Sequence, residues 1–196
     1  MKQKVNLENK YKILFQIMFH IIFMILLFIL YRKTLIKDFK DFKENYKKHL
    51  SFGIKFWILS VFLMITSNII IQIFYPGVAE NEQLVSDYTK TYPLFMLFCN
   101  IIYAPFTEEL IYRKSIRNIF NSDILYIIFS GSIFGYVHTM ASSNQMEILY
   151  IIPYGVVGAM FAFIHTKTKN IYTSITLHAL HNCIVTLTYF LPLILK

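Results

Sequence analysis

The chain has 196 residues, of which 56% are hydrophobic and 15% charged, and its 19 Lys+Arg against 11 Asp+Glu give a net charge of +8. A soluble domain runs at about 45–50% apolar and about 25% charged, so an ordinary soluble domain is excluded, as are a disordered chain, a collagen and a disulfide-rich secreted scaffold. The basic residues fall between apolar blocks, which reads as membrane topology signals and headgroup contacts and not as a nucleic-acid surface.

A bilayer core about 30 Å thick asks for about 20 apolar residues per helix. Ile13–Tyr31 meets that length after a start holding Lys2, Lys4, Lys10 and Lys12. No small-residue cleavage site follows, so this reads as a retained span and not as a signal peptide. Arg32–Leu50 is a charged connector, and Gly53–Tyr75 is a second span with Trp57 and Tyr75 suited to the interfaces. Pro76–Pro93 is polar and acidic, with Glu80, Glu82 and Asp87, and has room for a short surface helix. The third segment runs from Leu94 to about Phe120, followed by Ile124–Met140, Ile148–His165 and Ile171–Leu195. Cys99 and Cys183 both lie in apolar stretches and make no disulfide framework. The expected fold is all-α, a polytopic transmembrane bundle of about six spans in the cell membrane. It divides into 1–93, two spans with their loops, and 94–196, a four-helix core. The Lys/Arg bias places Arg32–Leu50, the turn with Arg113, Lys114 and Arg117, and the turn with Lys167 and Lys169 on the cytoplasmic side. The four amino-terminal lysines run against that pattern.

Ionisable groups at bilayer depth cost at least about 2.5–3.5 kcal/mol each on insertion scales, so those that occur there point to function. Glu108, Glu109 and Arg113 lie in the third segment, His138 in the fourth, and His178, His181 and Asn182 in the sixth. Glu109 and Arg113, Phe134 and His138, and His178 and Asn182 are each four apart, hence stacked on one helix face. At 1.5 Å per residue, measured from the turns, the Glu and His levels all fall in the interior and can converge. Glu109 beside Arg113 is held as a carboxylate. Glu108 points about 100° away and lacks that partner, which leaves it available as a general base. A neutral His can hold water, and a second His with Asn182 can donate to a developing oxyanion. Ser130 and Cys183 are nearby in sequence, but no Ser or Cys nucleophile is needed. Pro105 is placed to kink the third helix and open it to water near Glu108. Gly131-x-x-x-Gly135 and Gly155-x-x-x-Ala159 read as packing devices. His20, His49 and His165 read as span or interface residues.

Glu108-Glu109-x-x-x-Arg113, Phe134-x-x-x-His138 and His178-x-x-x-Asn182, in that order on apolar helices, resemble the three signature motifs of the CPBP intramembrane proteases. That group includes CAAX prenyl endopeptidases and the bacteriocin-processing and self-immunity (Abi) proteins. The resemblance covers roughly Leu94 to Leu193; the first two spans match no signature. It implies that the 94–196 part is a catalytic core in which Glu108 activates water with the aid of His138. His178 and Asn182 would form the oxyanion side, with Glu109, Arg113 and Phe134 supporting the site. If a metal is bound, Glu108, His138 and His178 are the set implied for Zn²⁺. There is no HExxH, and metal-free glutamate catalysis is preferred.

The reading is an intramembrane endopeptidase that cuts a small peptide or membrane-associated substrate near the cytoplasmic leaflet, in peptide maturation or self-immunity. Its partners are that substrate and the lipid bilayer, with no nucleic acid. The alternative is a non-catalytic membrane immunity or scaffold protein. A proton-coupled transporter is disfavoured because no inverted repeat or paired broken helix is found.

Overall fold

The computed structural model describes residues 7–142 and 144–194; Lys2, Lys4 and Leu195 of the expected first and last segments lie outside them. Among the described residues there is no strand. Six helices follow in order: α1 (Leu7–Phe74), α2 (Glu80–Thr91), α3 (Pro93–Ser115), α4 (Asp123–Thr139), α5 (Ile151–Thr168) and α6 (Ile171–Ile194). A short 3₁₀ turn, Gln145–Tyr150, leads into α5.

The all-α expectation holds, with one change in the amino-terminal half. The charged connector Arg32–Leu50 is helical throughout, so both expected spans belong to α1. Its composition allows this: six Lys and no Gly or Pro leave nothing to break the helix. The contacts show that the helix is not a straight rod. His20 lies against Tyr103 and Cys99, and Tyr31 bonds Ser115, so the first arm runs parallel to α3. Phe52 and Phe56 meet Phe163, and Tyr75 meets Tyr150, so the second arm runs antiparallel to α5. Trp57 reaches His181 beside the same stretch of α6 that Asn100 touches, next to Cys99 and His20. A straight helix would separate residues 20 and 57 by about 56 Å.

The axis turns over residues 38–49. There the Asn170 side chain inserts into the helix and donates to the Asp38 carbonyl at 2.7 Å, the kind of intrusion that bends helices. The Asp38 carboxylate accepts from the Ile171 backbone N–H at 3.1 Å, and Asp41 accepts from Asn170 Nδ2 and His49 Nε2 at 2.7 and 2.8 Å. The elbow is therefore built around the start of α6.

By length and composition, three helices can cross a membrane: Lys10–Phe74, Pro93–Ser115 and Gln145–Thr168. At 17 residues α4 rises about 26 Å, slightly under the bilayer core. In α6 the polar residues His178, His181 and Asn182 dilute the apolar sequence. The surface and the interior are inverted relative to a soluble protein. Phe15, Leu30, Phe62 and Ile73 are each 64–70% exposed, while Arg113, Glu109 and Asn170 are at 0%. Such a chain is solvated by lipid.

The core is closest between α4 and α5. A Cβ on Gly135 would stand 2.5 Å from the Ile151 carbonyl oxygen, and one on Gly131 would stand 2.7 Å from that of Gly155. The expected packing role of these small residues is met. Trp57, expected at an interface, turns inward beside Val157, Phe161 and Leu177.

Candidate active site

The site begins with a defect in α3. Pro105 has no N–H to give, and the preceding turn widens to π geometry over Cys99–Tyr103, with the Ala104 N–H reaching back to the Cys99 carbonyl. The Asn100 carbonyl thereby loses Ala104, its ordinary donor, and Pro105 cannot replace it. Asn182 Nδ2 takes that place at 2.9 Å, and the Asn100 amide in turn donates to Thr186 at 3.1 Å. Asn182, expected on the oxyanion side, thus spends one amide hydrogen satisfying α3. The helix is altered next to Pro105, and the change is a widened turn that ends five residues before Glu108.

Behind that turn lies a buried charge cluster. Arg113 Nε and Nη2 donate to the two oxygens of Glu109 at 2.9 and 3.1 Å, with both side chains fully buried. Nη1 donates to Ser130 Oγ at 2.7 Å, and Ser130 donates to the Tyr112 carbonyl at 2.9 Å. The guanidinium lies 5.3 Å from the Phe134 ring centre and 5.9 Å from those of Tyr112 and Phe161. His178 Nδ1 completes the cluster at 2.9 Å from Glu109 Oε1. A carboxylate only accepts, so Nδ1 carries the proton there. The His178 ring stacks on Phe161 at 5.1 Å and meets the edge of Phe134 at 5.9 Å. Its other nitrogen, Nε2, faces Glu108 Oε2 at 3.8 Å, beyond hydrogen-bond range.

The two glutamates are thereby separated in role. Glu109 is sealed behind the site, whereas Glu108 is a quarter exposed and borders a cavity of about 400 Å³. Glu108 Oε2 is itself buried and has no hydrogen-bond partner. The same cavity is lined by Phe134, His138, His178 and Asn182, so the three motifs meet at one place. His138 donates Nδ1–H to the Phe134 carbonyl at 2.8 Å, which leaves Nε2 as an acceptor in the neutral ring. Its ring is sandwiched between Phe134 at 4.4 Å and Tyr154 at 4.8 Å. His138, the expected partner of Glu108, lines the same cavity, and His178 Nε2 also comes within 3.8 Å of Glu108 Oε2.

Several members were not foreseen. Ser130 is a ligand of Arg113, not a spare nucleophile. Tyr154 Oη donates to Glu82 Oε1 at 3.0 Å and accepts from Asn81 at 3.3 Å, and Tyr189 bonds Glu82 Oε2, so α2 is pinned over the cavity. The buried Glu147 carboxylate accepts the Glu80 N–H at 3.2 Å and caps the start of α2. The polar Asn100 and Ser130 inside apolar runs were visible signals; nothing in the sequence pairs Glu82 with Tyr154 and Tyr189. His165 is buried in α5 against Tyr126 at 3.2 Å, and His181 lies 3.4 Å from Trp57.

Glu108, His138 and His178 line one cavity, yet among the described residues no three His, Cys, Asp or Glu are grouped to hold an ion. A carboxylate and two imidazoles are a donor type that zinc accepts, but as placed the three are not drawn around one point.

Comparison with known proteins agrees with this constellation. The family model described as "Type II CAAX prenyl endopeptidase Rce1-like" matches residues 90–184, which hold all three motifs. The Bacillus subtilis (strain 168) protein named "Putative membrane peptidase YdiL" is 29% identical over 121 residues, covering 58% of this chain and 45% of that protein. The chain thus spans less than half the length of that relative. No solved structure matches. Residues 90–184, from α3 into α6, are thus similar to the Rce1-like CAAX prenyl endopeptidases, in line with the resemblance that the three motifs carry.

Proposed function

We propose that the chain is a multi-pass intramembrane endopeptidase of the cell membrane that uses Glu108 to activate water. The observation that carries this reading is the buried, unpartnered Glu108 Oε2 on the cavity wall, 3.8 Å from His178 Nε2 and backed by the closed Glu109–Arg113 pair. Glu108 takes one proton from a water whose second hydrogen is held by His138 Nε2. The water oxygen forms a bond to the substrate carbonyl carbon, and the carbonyl π electrons move to oxygen. The remaining amide hydrogen of Asn182 is available to that oxyanion. Glu108 then returns the proton to the amide nitrogen as the C–N bond breaks. Glu109 holds the His178 ring through Nδ1. The substrate class is a small peptide or a membrane-associated protein segment, in maturation of a secreted peptide or in self-immunity.

Wild type and Glu108→Gln, reconstituted in liposomes with candidate peptides, are compared by mass spectrometry of the products. The expected loss is at least about 100-fold, the usual contribution of a general base. Equal cleavage by both would remove Glu108 from the reaction. Equal phenotypes in cells with no cut peptide would favour the scaffold alternative.

A further inference from the structure

The cations of this chain and the mouth of its cavity lie at opposite ends of the bundle. At one end the elbow of α1, with Arg32, Lys33, Lys37, Lys40, Lys43, Lys47 and Lys48, closes on the start of α6 through Asp38, Asp41 and Asn170. Tyr31 bonds Ser115 at 2.6 Å, which brings Lys114 and Arg117 to that end. The contact of Tyr126 with His165 brings the α5 terminus with Lys167 and Lys169 there too. The cavity is bordered at the other end by Val78 and Ala79, where α1 passes into α2, and by Glu82 and Tyr189. Among the described residues, Lys10, Lys12 and Lys90 are the basic side chains toward that end.

Lys and Arg accumulate on the cytoplasmic side of membrane proteins. We propose that the site is entered from the non-cytoplasmic face, and that it takes an internal, extended stretch of peptide there. The proposal rests on the peptidase reading and replaces the expectation of cleavage near the cytoplasmic leaflet. The wall chemistry fits the same substrate. Asn68, Gln72, Asn81, Asn100 and Thr186 line the cavity with amide and hydroxyl groups, which match the N–H and C=O groups of an unpaired backbone. Among the described residues no Lys or Arg lines it to pair with a terminal carboxylate, and Glu82 at the rim disfavours one. The site is suited to a chain passing through, not to a carboxyl terminus.

The test separates sidedness from catalysis. With Cys99 and Cys183 replaced by alanine, single-cysteine reporters Val78→Cys and Gln83→Cys mark the mouth, and Lys47→Cys marks the elbow. Intact cells are treated with a membrane-impermeant maleimide before and after permeabilisation. The mouth reporters are expected to label at least tenfold faster than Lys47→Cys in intact cells, with Lys47→Cys labelling only after permeabilisation. Labelling of Lys47→Cys in intact cells, or of the mouth reporters only after permeabilisation, overturns the proposal. This readout needs no activity, so it stands apart from the Glu108→Gln assay. Peptides blocked at the carboxyl terminus as an amide should be cut as fast as the free acids; a strict need for the free carboxylate refutes the internal-segment assignment.

Discussion

Removing Arg113 tests whether the closed pair behind the cavity holds the site together. In Arg113→Ala, Glu109 stays buried and loses both guanidinium bonds, while His178 and Ser174 remain beside it. Removing one partner of a buried ion pair costs about 3–5 kcal/mol, chiefly because the survivor is stranded. That is a large share of the about 5–15 kcal/mol that holds a typical domain together. The double variant Glu109→Gln/Arg113→Met removes both charges at similar volume and leaves a neutral amide beside Ser130 and His178. It should be more stable than the single variant, with a coupling of about 2 kcal/mol, the upper part of the range for contacting residues. Trp57 is the one tryptophan of the chain and donates to His181 next to the cavity, so its fluorescence reports unfolding of this region in detergent micelles. The reasoning fails if Arg113→Ala unfolds within about 0.5 kcal/mol of wild type, or if the two substitutions add without coupling.

Other substitutions probe the scaffold around the cluster. Gly135→Ala puts a Cβ 2.5 Å from a backbone oxygen, so α4 and α5 must separate, at about 1–3 kcal/mol by the same unfolding measurement. Gly155→Ala, whose nearest atom is 3.3 Å away, should cost less; the reverse order would contradict the packing account. Asn182→Ala leaves the Asn100 carbonyl without a donor and should destabilise by about 1–3 kcal/mol. A variant that loses activity with unchanged stability would make Asn182 purely catalytic. Tyr154→Phe keeps the ring against His138 but releases Asn81 and removes one of the two tyrosine bonds to Glu82. Limited proteolysis should then cut within 80–91 faster, and an unchanged rate would mean that α2 is held otherwise.

The helices of α3 to α6 were legible because lipid leaves a chain few choices: backbone groups must pair within the segment, so an apolar block of sufficient length is a helix. The same rule misreads residues 32–50. Charge there suggests a loop, yet a Lys-rich stretch without Gly or Pro continues a helix, and what decides the path is Asn170 intruding from 132 residues away. The motif residues were likewise found by spacing, since i and i+4 partners share a face on any helix. Contacts across helices were not. That His178 Nε2 comes within 3.8 Å of Glu108, and that Glu82 spans to Tyr154 and Tyr189, depend on rotation of each helix about its axis, which the apolar periodicity of a lipid-facing helix constrains poorly.

Adjacency in sequence gives the two glutamates different surroundings at little structural cost. Successive residues on a helix diverge by about 100°, so one turn of α3 directs Glu109 into the wall and Glu108 to the cavity. Every oxygen of Glu109 is engaged, by Arg113 and His178, and those partners are tied to α4 through Ser130 and to α6 by the His178 backbone. The fixed carboxylate therefore positions the His178 ring that faces the free one. Exchanging the two roles would require α3 to rotate by that same angle, which the ring packing of Phe134 and Phe161 around Arg113 opposes. The division of labour between neighbouring carboxylates thus comes from helix rotation locked by a buried cation.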